Sequence, residues 1–226
     1  MSLKVYENLE QRSDQWYEAR RGIVTASTVG QLITPSTLKP ASNDKSRALV
    51  YQLVAERITG HVEPTFTTEA MWRGIEDEPL ARDLYAEKYA PVTEVGFMVR
   101  DDWGFRIGFS PDGLVGDLGL IEVKSREPKG HLRTILDDRV PPFHMAQCQA
   151  GLLVSGRQWL DYISYSGGMP MWVHRVWPDE RWQDAILEAV RTFEAVADKY
   201  IEQYTGLTAG LPPTERIDHS RVELKL

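Results

Sequence analysis

The stretch SPDGLVGDLGLIEVKS, residues 110–125, sets two carboxylates and an ammonium into an apolar run punctuated by glycine. Side chains two apart on a strand share a face, so Glu122 and Lys124 point together while Val123 points away. A hairpin over Gly113–Gly119 would carry Asp112 alongside Glu122. Two carboxylates at close range repel, and one of them holds its proton unless a cation neutralises the pair. A divalent metal does this with hard oxygen ligands: Asp112, Glu122, water, a substrate phosphate and the Val123 carbonyl. Lys124 would then orient or help deprotonate an attacking water, or offset charge developing on a phosphate. The competing reading is a salt-bridged hairpin in which Lys124 merely balances Glu122; the Pro-Asp-Gly upstream and the apolar run into Glu122 count against it.

Positioning these groups requires an ordered frame, and the periodicity supplies one. A short helix, a turn at Gly22 and a second helix opened by Thr25–Ser27 fill residues 13–33. The segment TPSTLKPASNDKSR, 34–47, has loop composition, with Lys39, Lys45 and Arg47, and reads as a segment that only a ligand or partner would order. Helices are predicted over 47–59, over 67–88 with Pro79 as a kink or break, over 143–155 and over 179–204. Strands are predicted over 92–100, 105–109, 113–115, 118–125, 158–165 and 171–176. The fold class is therefore α/β, with a core at about 91–178, a helical N-terminal portion over 1–90 and a C-terminal helix, all in one domain spanning 1–226.

The chain has 226 residues, a formal net charge of -7 and one cysteine, Cys148. An internal disulfide is excluded, and no apolar run is long enough to cross a bilayer. A cytoplasmic location is the simple expectation. The acidic balance argues against a passive nucleic-acid-binding module, although phosphate contacts can be concentrated in one channel. No zinc cluster or phosphate-binding glycine loop is present in the sequence.

The pattern SPDG…IEVKS resembles the PD-(D/E)xK nuclease superfamily, whose restriction-endonuclease-like core is a central mixed sheet flanked by helices. RRGIVTAS at 20–27, WRGIEDE at 72–78 and HMAQCQ at 144–149 are similar to the lambda-type alkaline exonucleases and YqaJ recombinases within it. Four motifs in order, over residues 12–177, carry this resemblance. It implies a Mg2+-dependent enzyme, with Mn2+ able to substitute, that degrades linear double-stranded DNA processively from the 5′ end. Mononucleotides would be released and a 3′ single strand left for a recombination annealing protein; the enzyme would form a trimeric ring in the cytoplasm of a bacterial host.

Carried over by the resemblance, Asp112, Glu122 and the Val123 carbonyl match metal ligands and Lys124 matches the catalytic lysine. Glu78 matches an acid that organises the metal and water site, and Gln147 an amide that positions water or phosphate. Arg20, Ser27 and Ser110 match a cradle for a 5′-terminal phosphate. His144 stands where the lambda-type enzyme has tyrosine. Glu69 stands where that cradle has a lysine, which implies either a weaker phosphate preference or replacement by Arg73 or a loop lysine. Arg126, Lys129, His131 and Arg133 form a mildly basic stretch that either follows the DNA backbone or is a solvated face. The same triad also serves endonucleases of this superfamily, and a third reading is a non-catalytic DNA-binding or assembly protein.

Overall fold

A computed structural model of the chain describes residues 2–63 and 68–216. In order, the elements are β1 Leu3–Tyr6, α1 Asp14–Arg20, β2 Val24–Thr25, α2 Ala26–Val29, β3 Ile33–Thr34, β4 Lys39–Pro40, α3 Asp44–Thr59 and α4 Glu69–Lys88. There follow β5 Phe97–Arg100, β6 Ile107–Phe109, β7 Gly113–Val115, β8 Gly119–Ser125, α5 Pro128–Asp137, α6 Pro142–Ser155, β9 Trp159–Tyr165, β10 Trp172–Val176 and α7 Glu180–Leu207. The α/β class with helices flanking mixed sheets is as the sequence implies. Hydrogen bonding divides the strands into two four-stranded mixed sheets, β1-β5-β6-β2 and β10-β9-β8-β7, and the β3-β4 hairpin.

The second sheet carries the chemistry because β8 is interior to it. It pairs antiparallel with β7, Gly113 opposite Ile121, and parallel with β9 along its whole length. Apolar residues on both faces allow this. Leu120 joins the large core with Leu160 and Tyr162, whereas Ile121 and Val123 join a smaller cluster with Ala81 and Tyr85 of α4 and Ile163. Thus α4 covers one face of β8, and α6 covers the other, where Gln147 meets Glu122. Small residues let α6 lie close: a Cβ added to Gly151 would sit 2.8 Å from the Phe109 ring.

Three expectations are corrected. Residues 34–47 order themselves: the β3-β4 hairpin closes with Leu38 N–H donating to Thr34 O at 2.8 Å, and the Asn43 side chain caps α3. Pro79 lies within a continuous α4, neither ending nor dividing it, because packing of Ala81 and Tyr85 holds the helix together beyond it. The predicted strand over 92–100 shortens to β5, since Thr93 instead forms an isolated bridge to Leu114. Thr67, the predicted start of α4, lies outside the described residues. Three further elements were not foreseen: β1 and β2, at the two edges of the first sheet, and α5 in the basic stretch. Among the described residues no helix is long and apolar enough to cross a membrane.

Candidate active site

The β7-β8 register, extended by one pair, puts Asp112 opposite Glu122. Asp112 is tied there by its own Oδ2, which accepts the Val123 N–H at 2.7 Å. On the neighbouring position Glu122 is 1% exposed. Its Oε1 accepts from Lys124 Nζ at 2.6 Å and from Gln147 Nε2 at 2.6 Å. Its Oε2 is buried without a hydrogen-bond partner among the described residues. A buried carboxylate oxygen with nothing to bond costs free energy, so this atom marks a place for an electrophile.

Burial, with Glu122 and Glu78 nearby, holds Asp112 well above the usual carboxylate range, against the opposing pull of Lys124 and the Val123 N–H. Glu122 is raised by burial, with Lys124 opposing. For Lys124, burial acts downward, but Glu122 and Asp112 outweigh it and the ammonium is held above its ordinary value. Ionising both carboxylates around one lysine is thus disfavoured, the condition that a divalent cation relieves. Among the described residues there is no cluster of three acidic, histidine or cysteine ligands. A cation here would rely on two carboxylates, with main-chain, water or substrate oxygens completing its shell.

Glu78 lines the same cleft from α4. Its oxygens are engaged by Arg82 Nη1 at 3.2 Å and Arg12 Nη2 at 3.5 Å. Arg82 also donates to the Asp112 carbonyl at 2.8 Å and pairs with Glu94 at 3.0 Å, so it pins the Asp112 main chain to α4. Sequence reasoning missed Arg82 and Arg12. For Arg82 a signal exists, since Glu78 and Arg82 stand at i and i+4 in a helix; for Arg12 there is none.

At the other end of the cleft Arg20 donates to Ser110 Oγ at 3.0 Å and to Ser27 Oγ and Thr25 Oγ1, each at 3.4 Å. Its guanidinium stacks 3.9 Å from the Trp16 ring, and Trp16 Nε1 also donates to Ser110 Oγ at 2.9 Å. Among the described residues Arg20 makes no ion pair, and burial brings its pKa down to about 10. A fixed guanidinium without a carboxylate partner, ringed by hydroxyls, has the chemistry to hold an anion. Trp16 and Thr25 are additions to the sequence-derived set.

Behind this cradle the main chain of Gly22 is clamped by α3. Glu56 Oε2 accepts its N–H at 2.8 Å, and Arg57 Nε donates to its carbonyl at 2.8 Å.

One cleft of about 350 Å³ joins Arg20, Ser27 and Ser110 to Asp112, Glu122, Val123, Lys124, Gln147 and Glu78. Glu69 is not among its lining residues; it lies exposed in the first turn of α4, where a negative charge suits the helix dipole. Arg73 does not replace the missing lysine: its Nε donates to Ser125 Oγ at 3.2 Å, and Ser125 Oγ donates to Asp77 at 2.6 Å. Lys39 and Lys45 are exposed and absent from the cleft lining. His144 bonds through Nδ1 to Tyr162 Oη at 2.7 Å, and burial first, then Lys124 and Arg126, lowers its pKa to about 3. His131 is fully buried between Ser164 and the Pro170 carbonyl, which removes it from the basic stretch.

Residues 15–158 match the model of the YqaJ-like viral recombinase domain. An alkaline exonuclease from Laribacter hongkongensis is 34% identical, with a TM-score of 0.78 over 88% of this chain and 100% of that one. Its complex with dAMP aligns over the same shares at 34% identity and a TM-score of 0.79. A phage-related exonuclease from Haemophilus somnus 129PT shares the fold at 14% identity, TM-score 0.65, over 80% of this chain and 96% of that one. No curated protein sequence matches the chain. With its motifs gathered in one cleft and the domain match covering most of its length, the chain belongs to the YqaJ-like viral recombinase family.

Proposed function

We propose that the chain is a divalent-cation-dependent exonuclease that hydrolyses phosphodiester bonds of linear double-stranded DNA from the 5′ end. The observation that carries this reading is the paired carboxylates Asp112 and Glu122, one with a buried oxygen lacking a partner among the described residues, beside a lysine and in one cleft with the Arg20 cradle. The Laribacter alkaline exonuclease, whose structure is known with dAMP, supports the substrate class. Membership of the family implies use of a divalent cation, and we assign Mg2+, with Mn2+ as substitute, to Asp112, Glu122 and the Val123 carbonyl. Oxygen ligands of this kind suit either ion. When bound, the ion supplies Lewis acidity and an acidified water.

This chain's own groups do the rest. Arg20, Ser27 and Ser110 hold the terminal phosphate and so set which linkage reaches the carboxylates. Lys124, an ammonium fixed on Glu122, orients the attacking water and offsets charge as the phosphate becomes pentacoordinate. Gln147 holds Glu122 in one rotamer and offers its amide to water or phosphate. Glu78, held by Arg82, contributes negative charge next to Asp112 and helps organise the metal and water site. A single domain, a homotrimeric ring around DNA and delivery of the 3′ strand to an annealing protein complete the proposal. Sedimentation equilibrium tests the ring, which a monomer that digests processively would exclude.

The decisive experiment compares a 5′-phosphorylated linear duplex with covalently closed circular DNA, each with Mg2+ or EDTA. Degradation of the linear duplex alone, abolished by EDTA, is expected. Equal cleavage of circles would instead make the protein an endonuclease, and intact DNA in all arms would sink the enzymatic reading. Arg20→Ala should reduce the preference for a 5′ phosphate over a 5′ hydroxyl about ten- to a hundredfold, the scale of one charge-assisted contact.

A further inference from the structure

Beyond Ser125 the chain leaves β8, yet the ladder persists for one residue: Arg126 N–H donates to Tyr165 O of β9 at 2.8 Å. The pleat therefore continues the face of Glu122 and Lys124 to Arg126. Helix α6 reports the same order from the opposite side. Gln147 meets Glu122, and Phe143, one turn nearer the start of α6, lies beneath the Arg126 guanidinium with 5.4 Å to the ring centroid. The guanidinium also rests against Gly130, where an added Cβ would be 3.0 Å from its Nη2.

Arg126 makes no ion pair among the described residues, in an acidic chain that neutralises many of its arginines with carboxylates. Phe143 is 62% exposed, an aromatic ring kept at the surface with a cation laid on it. Arg126 follows directly after Ser125, a lining residue of the active cleft, whereas Arg20 stands at the opposite end. Two guanidinium groups without ion pairs among the described residues thus serve the cleft, Arg20 from within its lining and Arg126 from the position directly after its lining residue Ser125.

We propose that Arg126, held by Phe143, binds the backbone phosphate one nucleotide beyond the scissile phosphate. The inference rests on the nuclease reading above and deepens it. The strand being cut is gripped on both sides: its terminal phosphate at Arg20, its scissile phosphate at the carboxylates, its next phosphate at Arg126. Residues two apart on a strand recur at about 6.6–6.8 Å, close to the step between neighbouring phosphates of one DNA strand, so Lys124 and Arg126 are spaced to meet successive phosphates. Arginine suits this place, since its planar fork can stack on Phe143 with one face and bond phosphate oxygens along its edge.

The test uses 5′-phosphorylated duplexes in which one linkage, immediately beyond the scissile one, is a neutral methylphosphonate. Release of the first nucleotide is followed in single turnover, with Mg2+. The wild type should slow about ten- to a hundredfold on the neutral linkage, as expected for one lost charge-assisted contact. Arg126→Met should slow by a similar factor on unmodified DNA and show no further penalty on the methylphosphonate. Arg126→Lys should recover part of the unmodified rate. Moving the methylphosphonate one linkage farther along should restore the wild-type rate, a readout that needs no variant. A wild type indifferent to the neutral linkage, or an Arg126→Met enzyme slowed by it as much as the wild type, overturns the assignment. No cleavage of unmodified duplex by the wild type would instead overturn the nuclease reading itself.

Discussion

Glu122 is asked to do two things with two oxygens. Oε1 is saturated by Lys124 and Gln147, which leaves Oε2 alone to meet an electrophile. Lys124→Ala should therefore leave DNA binding in place while turnover falls about a hundredfold or more, the scale of a lost transition-state cation. Single-turnover cleavage beside a binding titration separates the two; normal cleavage with weakened binding would make Lys124 a positioning residue. His144 gives a different signature. Its folded pKa of about 3 lies below the ordinary 6.5, so above pH 6.5 it carries no penalty. As pH falls below 6.5 the unfolded chain takes up a proton that the native site refuses, and stability declines until the folded value is reached. Between pH 6.5 and about pH 5 the loss is at most about 2 kcal/mol. Urea unfolding should show His144→Gln losing less stability over that interval than the wild type; equal losses would place the pH sensitivity elsewhere.

At the scale of elements, the active cleft depends on turns as much as on strands. Gly22 has φ +64°, and a Cβ there would lie 2.5 Å from Arg57 Cγ, a side chain that cannot swing away because it is paired with Glu194 at 2.6 and 2.8 Å. Gly22→Ala should destabilise by about 2–4 kcal/mol, combining left-handed strain with overpacking. Calorimetry checks this, and an unchanged melting temperature would contradict the clamp. Legibility also divides here. The pairing of Asp112 with Glu122 was readable because hairpin register and strand alternation are local rules that two glycines and a Glu-x-Lys satisfy. The helices α3, α6 and α7 were readable from their periodicity within a few residues. The strand β1 was not, since LKVY acquires its partner only through β5, nearly a hundred residues away. Nor was the self-closure of β3 and β4, whose polar sequence looks like any loop until its backbone bonds are counted. Trp16 and Arg82 escaped notice because their importance lies in what they hold, Ser110 and the Asp112 main chain, and contacts over tens of residues leave no spacing to read.

At the scale of the whole molecule, one large apolar cluster runs from Val24 through Leu53, Phe109 and Leu160 to Phe193. The Arg57–Glu194 pair crosses from α3 to α7 above it. The strand β2 beside the Arg20 cradle and the strand β8 that carries Glu122 both reach this cluster, through Val24 and Leu120. The lone oxygen of Glu122 then has a consequence for endurance. A ligand that binds the native state and not the unfolded chain adds to stability in proportion to the logarithm of its concentration. Saturation at about a hundred times the dissociation constant is worth about 2.7 kcal/mol, or some 5–10 °C in melting temperature for a domain of this size. Scanning calorimetry in Mg2+ against EDTA should display that rise, and Glu122→Gln should abolish it while melting no lower than the wild type in EDTA. A wild type that melts at one temperature in both solutions would remove the cation from this position. If the rise is found, cation supply sets how long the folded enzyme survives, and a cell that depletes the ion leaves the protein more open to unfolding and proteolysis.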